Sequence, residues 1–343
     1  MNKKILLLIC LMMFVVGCGN EKGINEPKED KKEENEENVI VDQKVDIINL
    51  ESNSRPYGVV INNYPSSVKV QTGLNEAYMV YEIPIEGGMS RSVAFYKDIS
   101  DLKIGTIRSA RHNYLDYVLE HDAIFVHFGW SKKAKQEISQ LGIDYIDGNS
   151  RDSSVFWREN PENLSREHTV YTNLSKITSH RNFRKETQVK PPLNYSTTDV
   201  DLSVYNDSKK ANNVEFIYSK SYKVKFMYNE ETGKYDRYVN DKPHTDYFKN
   251  KQFDSENIIV ILLDWGYTSE YVDAAGNNYL DLHNVGSGKG YYITNGYAKE
   301  ITWEKKSKSS QTVYKYKDGT QVSVSDGNTY VMMQSKSLGV NIN

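Results

Sequence analysis

Two apolar runs constrain the architecture of this chain more than any other feature. "AIFVHFG" (123–129) and "NIIVILLDW" (257–265) are almost continuous in branched and aromatic residues and have the length of a strand. Such runs suit strands buried inside a sheet. Around the first run, "YGVVINN", "AYMVYEIPI" and "RSVAFYKD" read as further strands bounded by Pro and Gly. Arg108 to Glu120 reads as a helix, with Ala110, Tyr114, Tyr117 and Val118 near one face. "SKKAKQEISQLG" opens on Ser131, a good helix cap, and stops at Gly142. A strand–helix–strand–helix order of this kind predicts a βαβ-type unit within a mixed sheet.

"QVKPPLNYSTTDVD" (188–201) breaks the periodicity with a Pro pair and small polar residues, as a connector would. Beyond it Val214, Phe216 and Tyr218 alternate with polar neighbours, as do Val224, Phe226 and Tyr228. Gly233, Asn295-Gly296 and Asp318-Gly319 supply hairpin turns. The predicted class is α+β. A mixed-sheet N-terminal α/β domain at 54–195 is followed by a mainly antiparallel β-rich domain at 196–343. The second domain is expected to expose many of its tyrosines, with Tyr291, Tyr297 and Trp303 at alternating positions that suit protein or carbohydrate contacts, or equally an ordinary sheet with one wet face.

The first residues read as a secretory signal. Lys3 and Lys4 precede an apolar run from Ile5 to Val16, too short to cross a bilayer core that needs roughly 20 apolar residues. "VVGC" at 15–18 resembles the lipobox of bacterial lipoproteins. Its pattern implies removal of residues 1–17 and a lipid, palmitate included, on Cys18. An uncleaved anchor, or a plain cleaved signal with Cys18 incidental, is the alternative. Residues 18–53 then form a charged tether with too little apolar surface to fold alone. As a flexible coil it would span roughly 30–35 Å. The expected location is the extracytoplasmic face of the cell membrane.

Composition removes several functions. The chain has two cysteines, Cys10 and Cys18, so the exported part carries no disulfide, thiol nucleophile or thiolate zinc site. No histidine pair has metal spacing, and "GTIRSAR" lacks the Gly-Lys-Ser/Thr ending of a phosphate loop; neither metal nor cofactor is expected. Net charge is −3, a poor match to nucleic acid.

What remains is the stretch "IGTIRSARHNYLDYVLEHDAIFVHFGWS" (104–131). Arg108 and Arg111 are three apart at the expected helix start, with Ser109 as a plausible cap, and present bidentate donors suited to carboxylate or phosphate. His127 falls at the end of the following strand. Arg91, Arg158 and His168 come from neighbouring segments and could complete one ligand-binding cleft. The competing structural reading pairs the arginines with Glu82 and Glu86 inside the fold. A catalytic alternative takes Glu82 and Glu86, an even number apart on a strand, as acid and base of a cell-wall hydrolase assisted by His127.

"RPYGVVINN", "VQTGLNEAYMVYEIPIEGGMSR", "REHTVYTN", "KYDRYVNDKPHTD" and "GKGYYITNGYAKEITW" together resemble the YerB-like lipoproteins of Gram-positive bacteria. The resemblance covers nearly the whole chain after the tether. It implies an exported lipoprotein of two α+β domains with no established activity. The chain departs from the family pattern at His112 and at His168-Thr169. The expectation is a lipid-anchored, non-catalytic binding protein. Its arginine cleft would take an anionic group of peptidoglycan or a wall polymer, and its second domain would meet a wall-synthesis protein. A purely structural interaction protein without a cleft is the remaining alternative.

Overall fold

A computed structural model describes residues 45–273 and 276–343. The expected signal peptide, Cys18 and most of the expected tether fall on residues outside these. Residues 45–53, read from sequence as the end of the tether, are packed instead: Ile48 lies in the core and the amides of Asp46 and Ile47 donate to Asp326.

The strands that place the site are β1 (Tyr57–Asn62), β2 (Met79–Ile85), β3 (Met89–Tyr96), β4 (Ile124–His127) and β5 (Tyr145–Asp147). From the later sequence come β6 (Asn213–Ser219), β7 (Tyr222–Asn229), β8 (Lys234–Val239), β9 (Asn257–Leu263), β10 (Gly286–Thr294), β11 (Tyr297–Lys305) and β12 (Thr329–Ser335). Among the described residues, eleven strands make one mixed sheet ordered β11-β10-β9-β12-β2-β3-β1-β4-β5, with two short strands beside β11. The fold is α+β, with mixed pairing in the N-terminal region and antiparallel pairing dominant in the C-terminal region. The connector lies between segments that feed the same sheet, because β12 runs parallel to both β9 and β2 and sits between them.

Both faces of this sheet are covered, which is why its central strands are apolar throughout. On one face Tyr81, Ile259, Ile261, Val331 and Met333 pack with α1 (Leu115–Glu120) and α2 (Lys132–Gln140). On the other, Val80, Ile258, Val260 and Met332 meet Phe216, Phe226 and Tyr235 of the β6–β8 sheet. Each fully buried side chain of this size contributes about 1.5–3 kcal/mol. Ser131 caps α2 as expected, its hydroxyl accepting from the Ala134 amide at 3.2 Å.

Two expectations are corrected. The helix starts at Leu115, preceded by a single 3-10 turn at His112–Tyr114, and residues 107–111 are not helical. The tyrosines of the later sequence divide between surface and interior: Tyr291 and Tyr297 are partly exposed, while others lie inside. Tyr222, Tyr235, Tyr292 and Tyr330 are fully buried and Trp303 is 3% exposed, because β6–β8 and the helices cover both faces of the main sheet.

Candidate functional site

β1, β2 and β4 run in the same direction, since β1 and β2 both oppose β3 and β1 is parallel to β4. Their carboxyl ends share one edge, the place where open α/β sheets usually hold ligands. The segment carrying Arg108 crosses that edge. The Arg108 amide donates to the Val60 carbonyl and the Phe128 amide donates to the Arg108 carbonyl, each at 3.1 Å. These pairings with β1 and the loop after β4 use the backbone groups a helix would need, so the first helical turn cannot form here. Ser109 is accordingly no cap; its hydroxyl donates to the Phe128 carbonyl at 3.0 Å.

The three central arginines gather here but differ in partnership. Arg111 is bonded through two nitrogens to Glu86 and lies 5.0 Å from the Tyr279 ring centre. Burial works against its charge, yet Glu86 holds its pKa above the ordinary value. Arg91 is 7% exposed, and its guanidinium donates to the Ser109 carbonyl at 2.5 Å. Among the described residues no carboxylate lies within ion-pair distance of it. Burial, with Arg111 next in weight, pushes its pKa down to about 10. Arg108 is half-buried, and Glu167 reaches it only at 3.9 Å. Burial also lowers the pKa of Arg108, with Glu167 opposing the shift and Arg111 adding to it.

A hollow of about 380 Å³ opens in front of Arg91 and Arg108, walled also by Asn62, Tyr64, Ser90 and Ser221. A second, of about 410 Å³, adjoins it through Arg108 and is walled by Ser109, Phe128, Asn149, Arg158 and Glu167. Arg158 donates to the Arg166 carbonyl and to Thr169 Oγ1, with its guanidinium 5.0 Å from the Phe128 ring centre. His168 is 3% exposed; its Nδ1 is bonded to Asn62 at 2.9 Å and its ring stacks on Tyr64 at 4.8 Å. It therefore braces the wall of the first hollow. Sequence reading missed Asn62, Tyr64 and Ser221. Only "INNY" hinted at the first two, and Ser221 arrives through long-range pairing that carries no local signal.

His127 lies beneath this edge, fully buried among Phe125, Trp130 and Tyr145. Its Nδ1–H donates to the Gly129 carbonyl at 2.9 Å, which leaves Nε2 unprotonated and without a hydrogen-bond partner. Burial pushes its pKa down to about 4, against the opposing pull of Asp147. The unfolded value is about 6.5. The unfolded chain thus binds the extra proton first, so this group's contribution to stability is complete above pH 6.5 and is lost as pH falls towards 4. In an NMR pH titration of the full chain, the His127 ring signals are expected to hold their neutral positions from pH 8 down to about pH 5. A midpoint near 6.5 would contradict this burial.

The paired-carboxylate reading meets a closed interior at Glu82, while Glu86 lies on the lining of the first hollow. Glu82 is fully buried; one oxygen accepts from Ser90 at 2.6 Å and Tyr222 at 2.9 Å, and the other from Arg237 at 2.6 Å. Glu86 is engaged by Arg111. Neither offers a free acid to a substrate. His112, at the family departure, is bonded to Asp281 at 2.8 Å and serves packing. Among the described residues no group of His, Cys, Asp and Glu is placed to hold a metal. A hollow of about 500 Å³ elsewhere is lined by Arg55, Arg181 and Arg184. Each of these is neutralised, by Asp144, Asp152 and Asp122 respectively, and Lys185, also on the lining, is exposed, so this hollow lacks a buried unpaired cation such as Arg91.

Residues 47–188 match the N-terminal domain, and residues 213–331 the C-terminal domain, of a family described as protein of unknown function (DUF3048). The chain belongs to the DUF3048 family. A DUF3048 relative, YerB of Bacillus subtilis (strain 168), is 27% identical over 287 residues, covering 81% of this chain and 80% of the relative. Its name designates it provisionally as a lipoprotein. The crystal structure of YerB protein from Bacillus subtilis matches with a TM-score of 0.72 at 25% identity, over 88% of this chain and 99% of that one. The resemblance carried by the sequence motifs is thereby shown. No helix among the described residues is long and apolar enough to cross a membrane.

Proposed function

We propose that this protein is a lipid-anchored, extracytoplasmic binding protein whose Arg91–Arg108 hollow captures an anionic group of the cell envelope. The observation that carries the reading is Arg91, a buried guanidinium with no carboxylate partner, facing a hollow beside the half-exposed Arg108. A buried cation without a counter-charge is costly, and an anion arriving from outside would remove that cost. Bidentate guanidinium donors at the carboxyl edge of the sheet suit phosphate or carboxylate oxygens. Cys18 would carry the anchor. The closure of Arg111 by Glu86 favours a structural role for that one arginine, so the ligand site contracts to Arg91 and Arg108 with Arg158 and His168 around them.

Co-sedimentation of the full chain with purified wall sacculi tests this. Loss of a charge-assisted hydrogen bond costs about 1.5–3 kcal/mol, so Arg108→Ala is expected to weaken binding by about tenfold or more. Unchanged binding in a folded Arg108→Ala protein would remove the hollow from the account.

A further inference from the structure

The two hollows have Arg108 as a common wall, and each brings its own second arginine, Arg91 in one and Arg158 in the other. Both volumes sit at the low end of small-molecule sites, about 300–1,000 Å³. A ligand with a single anionic group would fill one and leave the other cation unmatched. Cations strung along adjoining hollows suit a charge that recurs along a chain.

Resting on the function proposed above, we propose that the ligand is a linear phosphodiester polymer that occupies both hollows at once, with Arg108 between successive phosphates. The rest of the lining favours this chemistry over an acidic peptide. Asn149 and Ser221 add side-chain donors to the guanidiniums, and the phosphodiester group itself presents acceptors only. A peptide would also bring backbone N–H groups that need acceptors. The carboxylates at hand are Glu86, already bonded to Arg111, and Glu167. Glu167 is 55% exposed and stands 3.9 Å from Arg108, so a phosphate can displace it from that position. Tyr64, stacked on His168, and Phe128, beneath Arg158, offer flat apolar surfaces to the carbon linkers between phosphates.

The test is calorimetric titration of the full chain in detergent with glycerol phosphate, with glycerol-phosphate oligomers of two, four and eight units, and with oligo-glutamate of equal charge. Engaging a second site intramolecularly should raise affinity at least tenfold between one and four units, and oligo-glutamate should bind at least tenfold more weakly than the matched oligomer. Salt dependence should steepen as the second phosphate engages. Arg158→Ala, an exposed change, should shrink the gain with chain length to less than threefold. Equal affinity at every length, with Arg108→Ala abolishing binding, would overturn the polymer and leave the single-anion hollow standing. Equal affinity for oligo-glutamate would also overturn it. Failure of every phosphate probe would overturn the polymer, and failure of oligo-glutamate as well would overturn the anion-binding reading beneath it.

Discussion

Arg237→Ala is expected to cost about 3–5 kcal/mol of stability, the range for removing one member of a buried ion pair. Arg237 on β8 is 1% exposed and donates to Glu82 on β2 at 2.6 Å; its other terminal nitrogen contacts His244. Truncation leaves the fully buried Glu82 without its counter-charge and held by only Ser90 and Tyr222. Urea unfolding of the full chain should show the midpoint falling while the slope stays constant. The double change Glu82→Gln with Arg237→Met removes both charges together and should cost markedly less than Arg237→Ala alone. Equal losses in the two proteins would mean that packing, and not the stranded charge, sets the cost.

Lys305→Ala should have an effect of similar size on the opposite face of the sheet, again about 3–5 kcal/mol. Lys305 at the end of β11 is 1% exposed and donates to Glu120 of α1 at 2.7 Å. Glu120 also accepts from Tyr81 and from the amide and hydroxyl of Thr312. Both pairs join a carboxylate before the connector to a cation after it. They are far apart in the fold, one on each side of the main sheet, so their effects should add to within a few tenths of a kcal/mol. A single cooperative transition in each variant would fit strands interleaved in one sheet. A transition that splits in two would contradict that coupling.

The strands were readable where local pattern and burial agree. "AIFVHFG" and "NIIVILLDW" are apolar on both faces because helices cover one side of their sheet and β6–β8 the other. Ser131, Gly142 and Asn295-Gly296 mark their helix and turn because cap and turn chemistry is local; Gly142, Asn295 and Gly296 all take positive φ. The segment 107–111 misled because its side-chain spacing fits a helix while its backbone is claimed by Val60, Phe128 and Gly129, partners distant in sequence. Long-range pairing overrode a weak local preference. The site shows the same division. Arg91, Arg108, Arg158 and His168 stood out by residue type, and the structure places them around two adjoining hollows. No local signal could say that Glu86 would take Arg111 while Glu82 turned inward to Arg237, since that choice depends on how the β2–β3 hairpin meets β8.

The central claim is that Arg91, with no carboxylate in ion-pair distance among the described residues, and Arg108, reached by Glu167 only at 3.9 Å, offer positive charge to an anion from outside. The most direct measurement follows the side-chain Nε–H signals of Arg91, Arg108 and Arg111 by NMR while glycerol phosphate is titrated into the full chain. The account predicts saturable shifts at Arg91 and Arg108, little change at Arg111 behind Glu86, and loss of the Arg91 response in Arg108→Ala. Shifts that never saturate, or that appear equally at all three, would contradict it.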